Sequence, residues 1–274
     1  MMETLKAKHM GFCFGVRRAI NIVLSEAEKK NERICTIGPI IHNPQMVEML
    51  KDKGIIPVDD AFHVENGIVV FRTHGIKKEE EDYVKQRNLK FIDTTCPFVK
   101  RVRKKAMFLE KNGYTVVIVG DKEHPEVKSV LSYLHNGGIV LQKPTSIQAK
   151  KVGVVSQTTQ DKESFFNIVG RLVEGAEELR VYNTICESTE VRQREAAELS
   201  SKVDAMLVVG GKNSSNTSKL YNIVKKVQPN SYHIETEAEI RPEWFSGLKR
   251  VGITGGASTP DHIIDAVERR VKNL

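Results

Sequence analysis

The sequence is poor in several things, and each shortage removes a class of protein. Only four of its 274 residues are cysteine, and no two of them form a C-x-x-C pair. Compact zinc ribbons and thioredoxin-like redox motifs are therefore absent. Aromatic residues make up 6% of the chain and do not cluster, so the stacking platform of a single-strand nucleic-acid binder is missing. The longest purely aliphatic runs, such as Val116–Val119 and Met206–Val209, are far shorter than the ~20 residues that span a bilayer. The first ten residues carry Glu3, Lys6, Lys8 and His9 and no apolar signal core. No G-x-G-x-x-G or Walker loop is present; Gly210-Gly211-Lys212-Asn213 lacks the spacing. A directly bound nicotinamide or flavin is not expected. These shortages together describe a cytoplasmic globular protein without a membrane role.

The composition that remains is ordinary for such a protein, at 40% hydrophobic and 28% charged. The formal net charge of +7 favours anionic partners. Acids and bases are interleaved, as in Lys77-Lys78-Glu79-Glu80-Glu81-Asp82, which reads as a solvated helix face. No basic arm is visible, and nucleic acid is not an expected partner. With no secretory signal, the cysteines point to metal, cluster or catalysis in preference to disulfides.

Short strands alternate with amphipathic helices along the chain, the pattern of α/β units with parallel sheets. Strands are expected at Ile68–Phe71, Lys90–Ile92, Val116–Val119, Val152–Val155, Met206–Val209 and Arg250–Ile253. Helices are expected at Val16–Lys29, Asn43–Lys53, Lys100–Asn112, Ser164–Leu172, Val191–Lys202 and Asp261–Lys272. Within the alternation a repeat emerges. Gly11-Phe12-Cys13-Phe14-Gly15, Asp93-Thr94-Thr95-Cys96-Pro97 and Asn183-Thr184-Ile185-Cys186-Glu187 each open a helix carrying basic residues. The cysteines lie 83 and 90 positions apart. A second element pairs Val117–Pro125 with Leu207–Asn216, with Val69–Gly75 as a looser third copy. These observations imply three similar α/β units, 14–96, 97–182 and 183–274, joined by the segment 1–13. Pseudo-threefold packing would bring their loops to one centre.

Three thiolates from three such units can each bind one iron of a 4Fe–4S cube and leave the fourth iron open. A helix start beside each thiol favours thiolate. Three buried structural cysteines, or a zinc site completed by a histidine, are the alternatives. Cys35, in the apolar segment Arg33–Ile37, stands outside the repeat and reads as core.

The polar loops Ile41-His42-Asn43-Pro44, Thr73-His74-Gly75, His124-Pro125-Glu126, Ser156-Gln157-Thr158-Thr159, Lys212-Asn213-Ser214-Ser215-Asn216 and Gly256-Ala257-Ser258-Thr259-Pro260-Asp261, taken in order with the cysteine loops, resemble the 4-hydroxy-3-methylbut-2-enyl diphosphate reductase (LytB/IspH) family over essentially the whole chain. The resemblance implies a trefoil of three units around a central cluster on Cys13, Cys96 and Cys186. It implies that His42, His74, His124, Thr158, Ser214, Ser215, Asn216 and Ser258 bind the substrate. Glu126 is then the proton source, working with Thr158 and His124; Thr159 is the fallback if the match slips by one. The implied reaction is reductive dehydroxylation of the allylic diphosphate to isopentenyl and dimethylallyl diphosphates. Its electrons would come from a ferredoxin or flavodoxin, and a monomer suffices. A non-redox 4Fe–4S dehydratase and a cluster- or zinc-bearing RNA-associated protein are the competing classes.

Overall fold

Aliphatic runs with no polar alternation suit strands that are covered on both faces, and such strands pair in parallel through helical crossovers. A computed structural model of the chain, describing residues 2–29 and 32–274, follows that rule throughout. The described elements are β1 (Glu3–Lys6), α1 (Phe14–Lys29), β2 (Ile34–Ile37), α2 (Pro44–Asp52), β3 (Ile55–Val58), β4 (Ile68–Phe71), α3 (Lys78–Gln86) and β5 (Lys90–Asp93). They continue with α4 (Pro97–Lys111), β6 (Thr115–Val119), α5 (Pro125–Ser132), β7 (Ile139–Leu141), β8 (Ala149–Ser156), α6 (Lys162–Leu172) and β9 (Ala176–Val181). The last stretch holds α7 (Glu187–Ser200), β10 (Ala205–Val209), α8 (Ser215–Val227), β11 (Ser231–Ile234), two short 3₁₀ turns, β12 (Arg250–Gly255) and α9 (Asp261–Lys272). Every strand and helix expected from the pattern is present, with ends displaced by a few residues.

The strands form three four-stranded parallel sheets, ordered β3-β2-β4-β5, β7-β6-β8-β9 and β11-β10-β12-β1. The order is the same each time. The first strand of a repeat lies inside, the second at one edge, the third inside beside the first, and the fourth at the other edge. In the third sheet the fourth place is filled by β1, whose residues from Glu3 to Lys6 run in register with Arg250 to Ile253. The strand leading to Cys13 thus holds the position that β5 holds before Cys96 and β9 before Cys186.

Packing groups the chain into two compact units. The terminal unit comprises the N-terminal residues through Val16, His42–Met46 and Glu187–Leu274, with the sheet containing β1. The middle unit comprises Arg17–Ile41 and Val47–Cys186, with the other two sheets. Period-two alternation decides both cores. In β10, Leu207 and Val209 pack with Ile263, Ile264 and Val267 of α9, whereas Met206 and Val208 face Leu220 and Val224 of α8. In β6, Val116 and Ile118 meet Val102, Ala106 and Leu109 of α4; Val117 and Val119 meet Phe165, Ile168 and Leu172 of α6. Cys35 is fully buried in β2, as expected. The mixed-charge run forms α3, with Lys78–Asp82 and Glu81–Lys85 pairs one turn apart and the Glu80 carboxylate accepting the Lys77 N–H at 2.9 Å. Among the described residues no helix is long and apolar enough to cross a membrane.

Candidate active site

Each of the three repeat cysteines sits at a helix start. Cys13 immediately precedes α1, Cys96 is the N-cap of α4 with Pro97 at the first helical position, and Cys186 immediately precedes α7. All three are half-buried and outside any disulfide. Their backbones are tethered in the same way. The N–H of Cys13 donates to the Ala257 carbonyl at 3.0 Å, that of Cys96 to Thr73 at 3.0 Å, and that of Cys186 to Thr158 at 2.9 Å. In every sheet the acceptor lies in the loop after the inner strand next to the cysteine strand. Each of these loops offers one thiol beside a helix N-terminus, a soft donor whose chemistry suits iron–sulfur ligation. Cys35, enclosed in the core, offers no further thiolate, so the available donors suit a cluster with three protein ligands.

The sheet order corrects one expectation about the repeat. By position, the loop after β6, carrying His124 and Glu126, and the loop after β10, carrying Ser214–Asn216, match the loop after β2, which carries His42. The segment Val69–Gly75 is not their third copy. It follows β4 and matches the loops after β8 and β12, which carry Thr158 and Ser258. The aliphatic strand and polar loop at 69–75 look like either class in sequence; only pairing with the cysteine strand separates them.

In the middle unit the predicted residues are wired to each other. Glu126 lies in the first turn of α5 and is 1% exposed. One carboxylate oxygen accepts the Thr158 N–H at 2.7 Å and the other accepts the Thr158 hydroxyl at 2.6 Å. The Thr158 carbonyl in turn accepts the Cys186 N–H. His124 is the N-cap of α5, its Nδ1 accepting the Glu126 N–H at 3.2 Å. The His124 ring meets that of His74 edge-on, centroids 5.3 Å apart. Thr159 instead accepts from Gln157 Nε2 at 2.8 Å, so Thr158 is the residue that engages the carboxylate. Beside Cys96, the Asp93 carboxyl lies below the usual range: burial pushes it up, but hydrogen bonds from Lys100 and Thr95 outweigh that.

In the terminal unit the polar groups crowd together with less mutual pairing. Ser258 Oγ donates to the His42 carbonyl at 3.1 Å, and Ser214 caps α8 by accepting the Thr217 N–H at 3.4 Å. Ser215 follows at the first helical position, half-buried, and Asn216 is buried one residue on. The Asn216 carboxamide oxygen and the Thr217 and Thr254 hydroxyls are buried with no hydrogen-bond partner in the described protein. Glycines let the loops close in: a Cβ on Gly256 would lie 2.1 Å from Thr217 Oγ1, and one on Gly211 2.8 Å from the His42 carbonyl oxygen. A helix start with the unpaired Thr217 and Thr254 hydroxyls beside it offers donors suited to an anion.

A model of the LytB protein family matches residues 4–272. The chain belongs to the LytB family. Its relatives include proteins named 4-hydroxy-3-methylbut-2-enyl diphosphate reductase from Aquifex aeolicus, 45% identical, and from an Anaeromyxobacter species, 46% identical. Each alignment covers all of this chain and 97% or 98% of the relative. A solved structure of (E)-4-hydroxy-3-methyl-but-2-enyl diphosphate reductase, described as the terminal enzyme of the non-mevalonate pathway, is 44% identical. It superposes with a TM-score of 0.72, covering 100% of both chains. The E-1-hydroxy-2-methyl-but-2-enyl-4-diphosphate reductase of Plasmodium falciparum, at 24% identity and a TM-score of 0.91, covers all of this chain and 88% of its own and shares the fold.

Within this LytB-family chain, one positioning residue escapes a reading of the sequence. Gln157 is fully buried, and its Oε1 accepts the Asp121 N–H at 2.9 Å. It ties the loop carrying His124 to the loop carrying Thr158. A glutamine between a buried serine and a threonine at a strand end is its only signal.

Proposed function

We propose that this chain reduces 4-hydroxy-3-methylbut-2-enyl diphosphate to isopentenyl and dimethylallyl diphosphates, the last step of the methylerythritol phosphate route, using a 4Fe–4S cluster on Cys13, Cys96 and Cys186. The allylic C–O bond breaks, two electrons and two protons enter, and one water leaves. Membership of the LytB family and the names of full-length relatives support the reaction class. The cluster, when bound, supplies the electrons and an iron with no protein ligand that polarises the substrate hydroxyl.

The observation that carries the reading is the chain Cys186–Thr158–Glu126, in which a buried acid is fixed by both the N–H and the O–H of one residue tethered to a ligand loop. Hydroxide leaves poorly, so a proton must accompany C–O cleavage. Glu126 supplies it, and the Thr158 hydroxyl, already within hydrogen-bond reach, relays or orients it. His74 and His124 hold the diphosphate end, together with His42, Ser214, Ser215, Asn216 and Ser258. The repeats 14–96, 97–182 and 183–274, joined by the segment 1–13, act as three working units. The enzyme is read as a cytoplasmic monomer served by a ferredoxin or flavodoxin.

The test is anaerobic turnover of reconstituted protein with the diphosphate substrate and reduced viologen. Reductant-dependent formation of both products, lost in Cys96→Ser together with the cluster's visible absorption, is the expected result. Product formation without reductant would replace the reading by a dehydratase, and no product from protein with an intact cluster would overturn it.

A further inference from the structure

The fold offers a surface on which an electron donor could seat. Between Pro97 and Leu109 the chain carries five basic residues, Lys100, Arg101, Arg103, Lys104 and Lys105, and no acid. The mixed run on α3 is its opposite. Two of the five are already engaged, Lys100 with Asp93 at 2.5 Å and Arg103 with Glu81 at 3.6 Å. Arg101, Lys104 and Lys105 make no ion pair with a carboxylate among the described residues. With Pro97, Lys100 and Phe108 they line an open groove along α4.

The groove's aromatic side is built from the neighbouring strand end. Phe108, 41% exposed, meets Tyr182 edge-on with centroids 6.4 Å apart. Arg180 lies 4.9 Å over the Phe108 ring, and Lys105 lies 4.3 Å over that of Tyr182. The groove therefore begins one residue after Cys96, and Tyr182, packed against its Phe108, lies four residues before Cys186. A partner seated there would contact the segments that lead directly into two of the three thiol loops.

We propose that this groove is the docking surface for an acidic one-electron carrier protein, an inference that rests on the proposed function. Two reduced carriers are each oxidised by one electron per turnover; the pair of electrons and two protons convert one substrate to product and water. Nothing in the sequence marks a bound nicotinamide or flavin, so the electrons must arrive from outside. Transient redox partners use small interfaces steered by complementary charge. A groove lined by Lys100, Arg101, Lys104 and Lys105, with Pro97 and Phe108 at its ends, offers the charge for such steering. Nucleic acid fits less well, because a cation already lies over each of the two aromatic rings, Arg180 over Phe108 and Lys105 with Arg180 over Tyr182.

The experiment uses the full chain with its cluster reconstituted and the triple charge reversal Arg101→Glu, Lys104→Glu, Lys105→Glu. Turnover is driven either by reduced viologen, which needs no docking, or by a reduced acidic ferredoxin. Ferredoxin binding is followed separately by fluorescence anisotropy. The variant is expected to keep viologen-driven turnover within about twofold of wild type or above it. Ferredoxin-driven kcat/KM should fall on the order of tenfold to a hundredfold at low ionic strength, with a flatter salt dependence. Binding should weaken in parallel. Ferredoxin-driven rates and binding isotherms that coincide with wild type would overturn the proposal. So would a short single-stranded oligonucleotide that binds the groove more tightly than ferredoxin and displaces it. If wild-type protein fails with viologen, the proposed reaction is at fault, and the binding isotherms still decide the docking surface.

Discussion

The two compact units handle their polar residues in opposite ways. In the middle unit Glu126 has both carboxylate oxygens engaged by Thr158, whose carbonyl is engaged by Cys186. In the terminal unit Asn216, Thr217 and Thr254 bury polar atoms that find no protein partner among the described residues. Burying an unpaired polar atom costs about 1–3 kcal/mol, and a fold tolerates that where a ligand completes the bonds. Prepaired groups hold a geometry; unpaired ones wait for a partner. Under the proposed function, the paired acid of the middle unit is where a proton is managed, and the terminal unit adds hydroxyls to the groups that hold the diphosphate.

That contrast is broken most directly at the acid. Glu126→Gln keeps the shape of the side chain and loses the proton, so kcat should fall by about 10²–10⁴, while iron content and substrate affinity stay near wild type. Equal losses in kcat and affinity, measured by turnover and equilibrium binding, would make Glu126 a binding residue and erase the difference between the units. The receptor side predicts the converse split. Asn216→Ala should raise KM roughly tenfold, in line with ~1.5 kcal/mol for a hydrogen bond to a charged group, with kcat changed by only a few fold. A fall in kcat at constant KM would move Asn216 to the chemistry.

Two smaller effects sharpen the structural side. Gly256→Ala should lower stability by about 1–3 kcal/mol, because the new methyl meets buried, β-branched Thr217 at 2.1 Å; a denaturant melt reads it. Pairing the change with Thr217→Ala tests whether the clash is with that side chain, since removing the Oγ1 it meets should recover part of the loss. Asp93→Asn is the mildest. Asp93 has its folded pKa held below its ordinary value of 3.8, where burial is outweighed by Lys100 and Thr95. Its stabilisation is then fully present above the unfolded pKa and is lost as pH falls through the lower folded pKa. The variant should melt a few degrees lower at pH 7, about 1 kcal/mol, and the gap should close as pH falls through the lowered folded pKa. A gap that persists in strong acid would mean the loss is one of packing.

Much of the fold and of the candidate site is legible in the residues themselves. The spacing of Cys13, Cys96 and Cys186 before helices that carry basic residues identifies three equivalent loops, and each is found at a helix start. The aliphatic runs identify strands buried on both faces. Strands such as β7, three residues long, and β9, with four exposed residues of six, carry too little periodicity to be read. The segment Val69–Gly75 misleads for a related reason: similarity between a strand and its polar loop does not say which neighbour the strand will pair with.

Residue types and their order determined the parallel α/β class, the three thiol loops, the isolation of Cys35 and the roll of polar side chains. Those follow from local chemistry: hydrophobic period, helix-start residues and the scarcity of cysteine. The tertiary structure alone decided that β1 completes the third sheet, that Thr158 and not Thr159 grips Glu126, and that each cysteine N–H is tied to the loop beside it. Those depend on strand order and on hydrogen bonds between segments distant in sequence, such as the 32 residues from Glu126 to Thr158. Such bonds are specified by the packing of whole sheets, and no local pattern encodes them.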